Sequence, residues 1–386
     1  MKITDIKTFM VDAYRTNWVF VKVYTDEGLT GLGEATLEYK EKALAGAVEH
    51  IRESLTGKNP LDIEKHYHDI YRDAYWRGGA VLMSALSAVE MALWDLLGKF
   101  LGVPVAQLLG GRVHDRARIY VNGWFSGAKT PEEFAQKAKA AVRRGVTAMK
   151  WDPFGQSYLE ISTEEMDRAL ACISAVREAV GPGVDLLIEG HGRFNQPTAE
   201  KIARELAPFK PLFFEEPVPP DSLEALEAVH RTSPVPIAAG ERLYTLRSFR
   251  TLLERGAVDY VQPDVSHAGG IMELKKIAAL AEACYIPFAP HNPSGPVANA
   301  ATLQLAACCA NFSLLEIMDS DADYRSDITD EALVYANGYL SIPNRPGLGV
   351  ELMEEACAAH PYRPHTLRHY TGALTDIRPA QTRYYF

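Results

Sequence analysis

Between Asp185 and Glu316 the chain repeats one pattern six times, a short apolar run closed by an ionisable residue, so that Glu316 is expected to end the eighth strand. The runs are VDLLIE, PLFFEE, VPIAAGE, VDYVQPD, YIPFAPH and FSLLEI, and they present Glu189, Glu215, Glu241, Asp264, His291 and Glu316. Successive members lie 26, 26, 23, 27 and 25 residues apart, with amphipathic segments of helical length between them. A buried strand, a helix and two short loops fill about that many residues, and such alternation builds a parallel sheet. Two earlier runs, RIYVNGW (118–124) and TAMKW (147–151), bring the series to eight. The expected fold is therefore α/β, a modified (β/α)8-type barrel of the TIM-like (β/α)7β kind, with its reactive groups at the C-terminal strand ends.

Ahead of the barrel the pattern changes. MKITDIKTFM alternates like a strand, and WVFVKVYTDEGLTGLGEAT (18–36) alternates on both sides of Asp26-Glu27-Gly28, a hairpin signal. The GLGEA piece lies on the return strand rather than between a strand and a helix, so it is no dinucleotide fingerprint. Helical patterns follow over 40–55 and 61–75, broken at Pro60, and then over 78–102, a mostly apolar helix stopped by Gly102 with Pro104 beyond. The expected organisation is an α+β capping domain over 1–115, the barrel over 116–319, and a C-terminal segment over 320–386 that returns to the cap.

Glu189, Glu215 and Glu241 close successive runs. Three carboxylates gathered at adjacent strand ends repel one another unless a cation sits between them. An all-oxygen donor set without cysteine or histidine suits Mg²⁺. Asp264 and His291 close the next two, and a carboxylate beside an imidazole fixes its tautomer and raises its basicity. The competing readings are solvated surface acids and a satisfied core histidine, but acids following apolar runs are costly unless paired or metal-bound.

The stretch AVEMALWDLLGKFLGVPVAQLLGG (88–111) is similar to the helix-to-barrel passage of the mandelate racemase branch of the enolase superfamily. The likeness continues through IEGHGRF, FFEEPVPP, IAAGERLY, QPDVSHAGGI, APHNPSGP, LLE and PGLGVEL, and within that branch it resembles the galactonate and gluconate dehydratases. The resemblance implies an Mg²⁺-dependent lyase acting on an acid sugar, an aldonate such as gluconate or galactonate, to give a 2-keto-3-deoxy acid through a metal-stabilised ene-diolate. It implies that His291, oriented by Asp264, removes the proton α to the substrate carboxylate, that His191 protonates the leaving hydroxyl, and that Glu316 hydrogen-bonds the ene-diolate or the dyad. His191 stands two residues past Glu189, and persisting strand geometry would place both side chains on one face.

Lys150-Trp151-Asp152 stands where racemases and cycloisomerases of the superfamily show Lys-x-Lys. The missing second lysine counts against a two-base racemase of that type. Lys150, Asp152 and Arg193 are candidate substrate contacts, and Arg15 and Trp18, with Tyr14 and Asn17, are candidate lid residues. The rival functions are an epimerase or cycloisomerase of a related hydroxy acid, and a catalytically idle metal-binding barrel.

Charge narrows the partners further. With 40 Lys+Arg against 50 Asp+Glu the net charge is -10, and no basic stripe invites nucleic acid. Five cysteines, an odd number with no CxxC pair, read as reduced packing residues. No apolar run of 18 residues occurs. The expected setting is a cytoplasmic homo-oligomer that takes a small acid-sugar substrate and engages neither nucleic acid nor membrane.

Overall fold

The computed structural model describes residues 1–72, 75–319 and 322–366; the end of the C-terminal segment, expected to return to the cap, lies outside the described residues. The N-terminal module is an antiparallel three-stranded sheet, β1 (Ile3–Asp12), β2 (Asn17–Thr25) and β3 (Thr30–Glu34), with the hairpin turning at Asp26–Gly28. Four helices follow: α1 (Glu41–Leu55), α2 (Ile63–Arg72), α3 (Ala80–Leu101) and the short α4 (Val105–Leu108). Gly102 caps α3 in the left-handed conformation, donating to the carbonyls of Gly98 and Lys99. Helix α3 is apolar and long because it runs through the interior, with 78% of its most apolar window buried.

Sheet and helix meet at glycines. A Cβ at Gly33 would lie 2.0 Å from the Ala88 carbonyl oxygen, and one at Gly31 would lie 2.0 Å from that of Ala92. Strand β3 therefore rests directly on the backbone of α3. Gly33→Ala is expected to destabilise the protein by about 1–3 kcal/mol through overpacking, lowering its thermal midpoint by several degrees. An unchanged midpoint would show that β3 lifts off α3 without cost.

The barrel alternates β4 (Arg116–Asn122), α5 (Pro131–Arg143), β5 (Ala148–Trp151), α6 (Thr163–Val180), β6 (Asp185–Glu189), α7 (Gln196–Leu206) and β7 (Phe213–Glu215). It continues with α8 (Leu223–Thr232), β8 (Ile237–Ala239), α9 (Thr245–Glu254), β9 (Tyr260–Val261), α10 (Ile271–Ala283), α11 (Pro296–Cys308) and β10 (Leu315–Met318). Parallel pairing runs from β4 through β9 in chain order, and β10 closes back on β4. The seventh staff is the one departure from eight regular strands. YIPFAPH makes single parallel bridges at Phe288, to Val261 and to Phe312, because Pro287 and Pro290 withhold two ladder donors. The ring still closes, with seven helices between eight staves.

Inside the ring a small core of Tyr120, Ala148, Leu187, Phe213, Ala238, Ala289 and Leu314 fills the barrel. Side chains alternate with period two along a strand, so the residue two steps on faces the same lumen, one layer nearer the C-terminal mouth. From Ala148 that residue is Lys150, from Leu187 Glu189, from Phe213 Glu215, from Ala289 His291 and from Leu314 Glu316. The barrel's own plug thus aims the reactive layer.

After β10 come α12 (Arg325–Ile328), the hairpin β11 (Tyr335–Ala336) and β12 (Tyr339–Ser341), which pairs antiparallel with β4, and α13 (Glu354–Ala359). The chain then meets the N-terminal module: Pro361 bridges Val11, and Asn17 exchanges two hydrogen bonds with the Arg363 backbone. Four of the five cysteines are free and buried. Cys284, past the end of α10, is exposed rather than packed.

Candidate active site

Glu189 and Glu215 end β6 and β7, while Glu241 follows β8 by two residues, set there by Gly240 at φ 142°. One carboxylate oxygen from each lies within 4.8 Å of the other two. The Lys150 ammonium reaches the edge of this cluster, 2.6 Å from Glu215, 3.1 Å from Glu189 and 3.1 Å from Glu316. Burial pushes Glu189, Glu215 and Glu241 up, each to about 7, and mutual repulsion adds to it while Lys150 and His291 oppose it. Lys150 is shared with Glu316, and the Arg242 guanidinium 3.8 Å from Glu241 is paired with Glu216, so the three carboxylates keep an excess of negative charge. Glu215 Oε2 is also buried and without a hydrogen-bond partner. The donor set therefore fits a hard divalent cation.

The dyad forms as expected, although neither partner lies on a regular strand. His291 Nδ1 donates to Asp264 Oδ2 at 2.7 Å, and Asp264 Oδ1 accepts the Ser266 amide at 2.7 Å. Asp264 is fully buried, yet the neighbouring imidazoles and that amide outweigh burial and hold it below the usual carboxylate range. The other ring nitrogen, Nε2, lies 3.3 Å from Glu241 and 3.7 Å from Glu316. Burial would lower His291, but those carboxylates and Asp264 raise it to about 10.

Glu316 does not end its strand. It is the second residue of β10, opposite Tyr120 on β4, and its inward side chain is completely buried. Asn122 Nδ2 donates to its Oε1 at 2.9 Å, and the Tyr120 hydroxyl faces its Oε2 at 3.5 Å. Burial would raise Glu316, but Lys150 and His291 outweigh it and hold it at about 2. Asn122 was missed from sequence, although it closes RIYVN as the ionisable residues close their runs.

His191 reaches the cavity by a different route from strand alternation. Strand β6 stops at Glu189, and His191 sits in the left-handed region at φ 50°, its amide donating to Glu189 Oε1 at 2.7 Å. Such a strained backbone persists only where its surroundings hold it. Here Asp152 does so, accepting His191 Nδ1 at 2.6 Å. Asp152 also receives the Arg193 guanidinium, at 2.5 Å on Oδ1 and 2.6 Å on Oδ2, and the guanidinium together with the imidazole hydrogen bond holds it low despite burial.

Three substrate-contact expectations change as a result. Both oxygens of Asp152 are engaged, which makes it the orienting carboxylate of His191. Arg193 has no exposed surface and further donates to the Gly155 carbonyl, so it supports Asp152 from behind. Trp18 is 1% exposed on β2, under the Arg325 guanidinium, and is a core residue rather than a lid. Asn17 is likewise buried. Arg15 does line the cavity, paired with Glu38 and donating to the Pro293 carbonyl at 3.0 Å.

These groups meet in one polar cavity of about 90 Å³, lined by Arg15, Lys150, Asp152, Glu189, His191, Glu241, His291 and Glu316 among others. A larger cavity of about 390 Å³ opens in the N-terminal module between α1, α2 and α3, but it contains none of the glutamate cluster or either histidine. The chemistry belongs to the smaller space, where His291 and His191, each on its own carboxylate, accompany Glu189 and Glu241 of the cluster.

Family models match nearly the whole length: the mandelate racemase / muconate lactonizing enzyme N-terminal domain over residues 3–110, and the enolase C-terminal domain-like model over 133–356. The chain is 38% identical to the D-galactonate dehydratase of Variovorax paradoxus, covering 97% of this chain and 100% of that one. It is 36% identical to the D-gluconate dehydratase of Thermoproteus tenax, covering 90% and 70% respectively. Among solved structures it superposes on a mandelate racemase/muconate lactonizing enzyme-like protein from Rubrobacter xylanophilus with TM-score 0.87 and 38% identity, covering 94% of this chain and 98% of that one. A member of the enolase superfamily from Salmonella Typhimurium gives TM-score 0.88 at 29% identity, covering 93% and 98%. Barrel, cap, glutamate cluster and matched models agree: the chain is an enzyme of the enolase superfamily and belongs to its mandelate racemase branch.

Proposed function

We propose that this enzyme is an Mg²⁺-dependent dehydratase of an acid sugar, an aldonate such as gluconate or galactonate, and that it yields the 2-keto-3-deoxy acid. One observation carries the reading: two imidazoles line one cavity beside the glutamate cluster, His291 held by Asp264 and His191 held by Asp152. Dehydration α,β to a carboxylate needs one base and one acid, and in each histidine Nδ1 is committed to a carboxylate, which assigns the proton transfer to Nε2. The names of the relatives point to the same reaction.

Glu189, Glu215 and Glu241 would hold the cation. When bound it would supply positive charge to the substrate carboxylate and relieve His291 of the negative field of Glu241. His291 Nε2 then takes the C2 proton, and the C2 electron pair moves into the carboxylate. Glu316, fixed by Asn122 and Lys150, lies beside the reacting carboxyl group. His191 Nε2 donates its proton to the C3 hydroxyl, which leaves as water as the C2–C3 double bond forms. The enol gains a proton at C3 and loses the proton of its C2 hydroxyl to solvent, which gives the keto acid. Arg15, which lines the cavity, would hold a hydroxyl of the substrate. Lys150, held in its ionised form by three carboxylates, serves as a fixed charge rather than a base.

The test is a panel of aldonates and related acid sugars incubated with enzyme and Mg²⁺ and assayed for 2-keto acid. Turnover of at least one aldonate is expected; an epimer without keto acid would replace the reading with an epimerase. His191→Asn separates the two chemical steps. The variant is expected to lose dehydration by about 10² or more while still exchanging the C2 hydrogen in D₂O, followed by NMR. Near-normal dehydration would mean that His291 delivers the second proton itself.

A further inference from the structure

Asp264 faces a second histidine. His267, one turn along the loop after β9, directs Nε2 toward Asp264 Oδ2 at 4.0 Å, on the same oxygen that receives His291 Nδ1. The other ring nitrogen of His267, Nδ1, lies 2.8 Å from the hydroxyl of Ser84 on α3. Ser84 is fully buried, as is Asp264, and His267 is only 13% exposed. A separation of 4.0 Å is too long for a hydrogen bond, so the interaction is one of charge and dipole, and its sign depends on which nitrogen carries the proton.

Ser84 permits either sign, since a hydroxyl can donate or accept, and the Asp264 carboxylate selects between them. When its hydroxyl donates to Nδ1, the neutral ring carries its proton on Nε2, and the N–H dipole points at the Asp264 carboxylate. The opposite tautomer would aim a lone pair at a buried anion. Ser84 is also the first of three polar residues spaced three apart along one side of α3. Ser87 Oγ accepts the Gly269 amide at 3.0 Å, and Glu90 accepts the amides of Ile271 at 2.7 Å and Met272 at 2.9 Å. A Cβ at Gly270 would fall 2.1 Å from Glu90 Oε2, so the loop lies tight against the helix. The whole segment from Asp264 to the start of α10 is registered on a helix of the N-terminal module.

We propose that His267 is a positioning residue for the base dyad, holding the Asp264 carboxylate toward His291, and that Ser84 ties this arrangement to α3. The capping module would thereby set the geometry of the base from behind as well as covering the substrate from above. The inference rests on the dehydratase reading for its kinetic readout only.

The experiment compares three variants. His267→Asn places an amide where Nδ1 stood and keeps the Ser84 contact, but leaves nothing opposite Asp264. His267→Gln restores an N–H near the position of Nε2. Ser84→Ala removes only the hydroxyl. On the best aldonate, His267→Asn and Ser84→Ala are expected to lower kcat and C2 deuterium exchange together by about 3- to 30-fold, with KM within about twofold. His267→Gln is expected to recover most of the loss, and thermal midpoints are expected to stay near that of the parent. Independently of turnover, ¹⁵N-histidine labelling of the whole protein should show His267 as the Nε2–H tautomer, its resonance assigned by its absence in His267→Asn. An Nδ1–H ring, unchanged kcat in both His267→Asn and Ser84→Ala, or a glutamine variant no better than asparagine would each overturn the proposal. If no acid sugar is turned over by the parent enzyme, the dehydratase reading falls, and the ring-nitrogen measurement still decides this one.

Discussion

His291→Asn is expected to remove dehydration and C2 hydrogen exchange together, each by ~10²–10⁴ in rate. Asparagine carries an amide where Nδ1 stood, so the buried Asp264 carboxylate keeps a donor. What disappears is Nε2, the nitrogen that lies among Glu241 and Glu316 at the floor of the cavity. Because proton removal precedes departure of the hydroxyl, losing that nitrogen stops both observable reactions. His191→Asn, in contrast, leaves the first intact. Asp264→Asn should cost less than His291→Asn, since the base remains and only its orientation is disturbed. Retained exchange in the His291 variant would move the base to another group. Lys150 is one alternative, and three surrounding carboxylates, set against the cost of burial, hold its ammonium well above the usual range, which makes it a poor acceptor.

Much of this site was legible in the sequence, for a physical reason. A buried parallel strand reads as a continuous apolar run, and an ionisable residue at its end has nowhere to go but the barrel mouth. That logic placed Glu189, Glu215, Glu241, Asp264, His291 and Glu316 in one region without knowledge of contacts. Pairings across strands were beyond its reach. Asp152 and His191 are 39 residues apart, and nothing local says that the carboxylate turns to the imidazole rather than to a sugar hydroxyl. Arg193 looked like a solvated or substrate-binding cation because arginines usually are exposed, and only its burial together with its two contacts to Asp152 shows what it braces. Trp18 failed as a lid because β2 is covered on both faces, which an alternating pattern does not disclose. His267 was passed over within QPDVSHAGGI because its partner, Ser84, lies 183 residues away on another module.

The second large effect concerns the cation, and it carries an unusual combination of signs. Glu215→Gln keeps the shape of the side chain and removes one negative charge. In the native site Glu215 Oε1 is 2.6 Å from Lys150, while Oε2 is buried with no hydrogen-bond partner. An ionised oxygen in that position is costly unless a cation answers it. The substitution should therefore weaken Mg²⁺ binding, read by calorimetry, by on the order of 10- to 100-fold. It should also lower kcat/KM by about 10³ or more, since charge stabilisation by a bound cation is worth several kcal/mol and each 1.36 kcal/mol is tenfold. Yet the metal-stripped variant should be no less stable than the metal-stripped parent, because burial, with mutual repulsion added, pushes the three glutamates up to about 7, and a neutral amide removes one charge from both costs. A residue that merely supported the fold would show the reverse, a lower thermal midpoint with binding preserved. Chelation of the parent enzyme should abolish turnover, and added Mg²⁺ should restore it. Full activity in protein shown by elemental analysis to contain no divalent metal would leave the glutamate cluster without its assigned role, and Lys150 would then be the only cation the site needs.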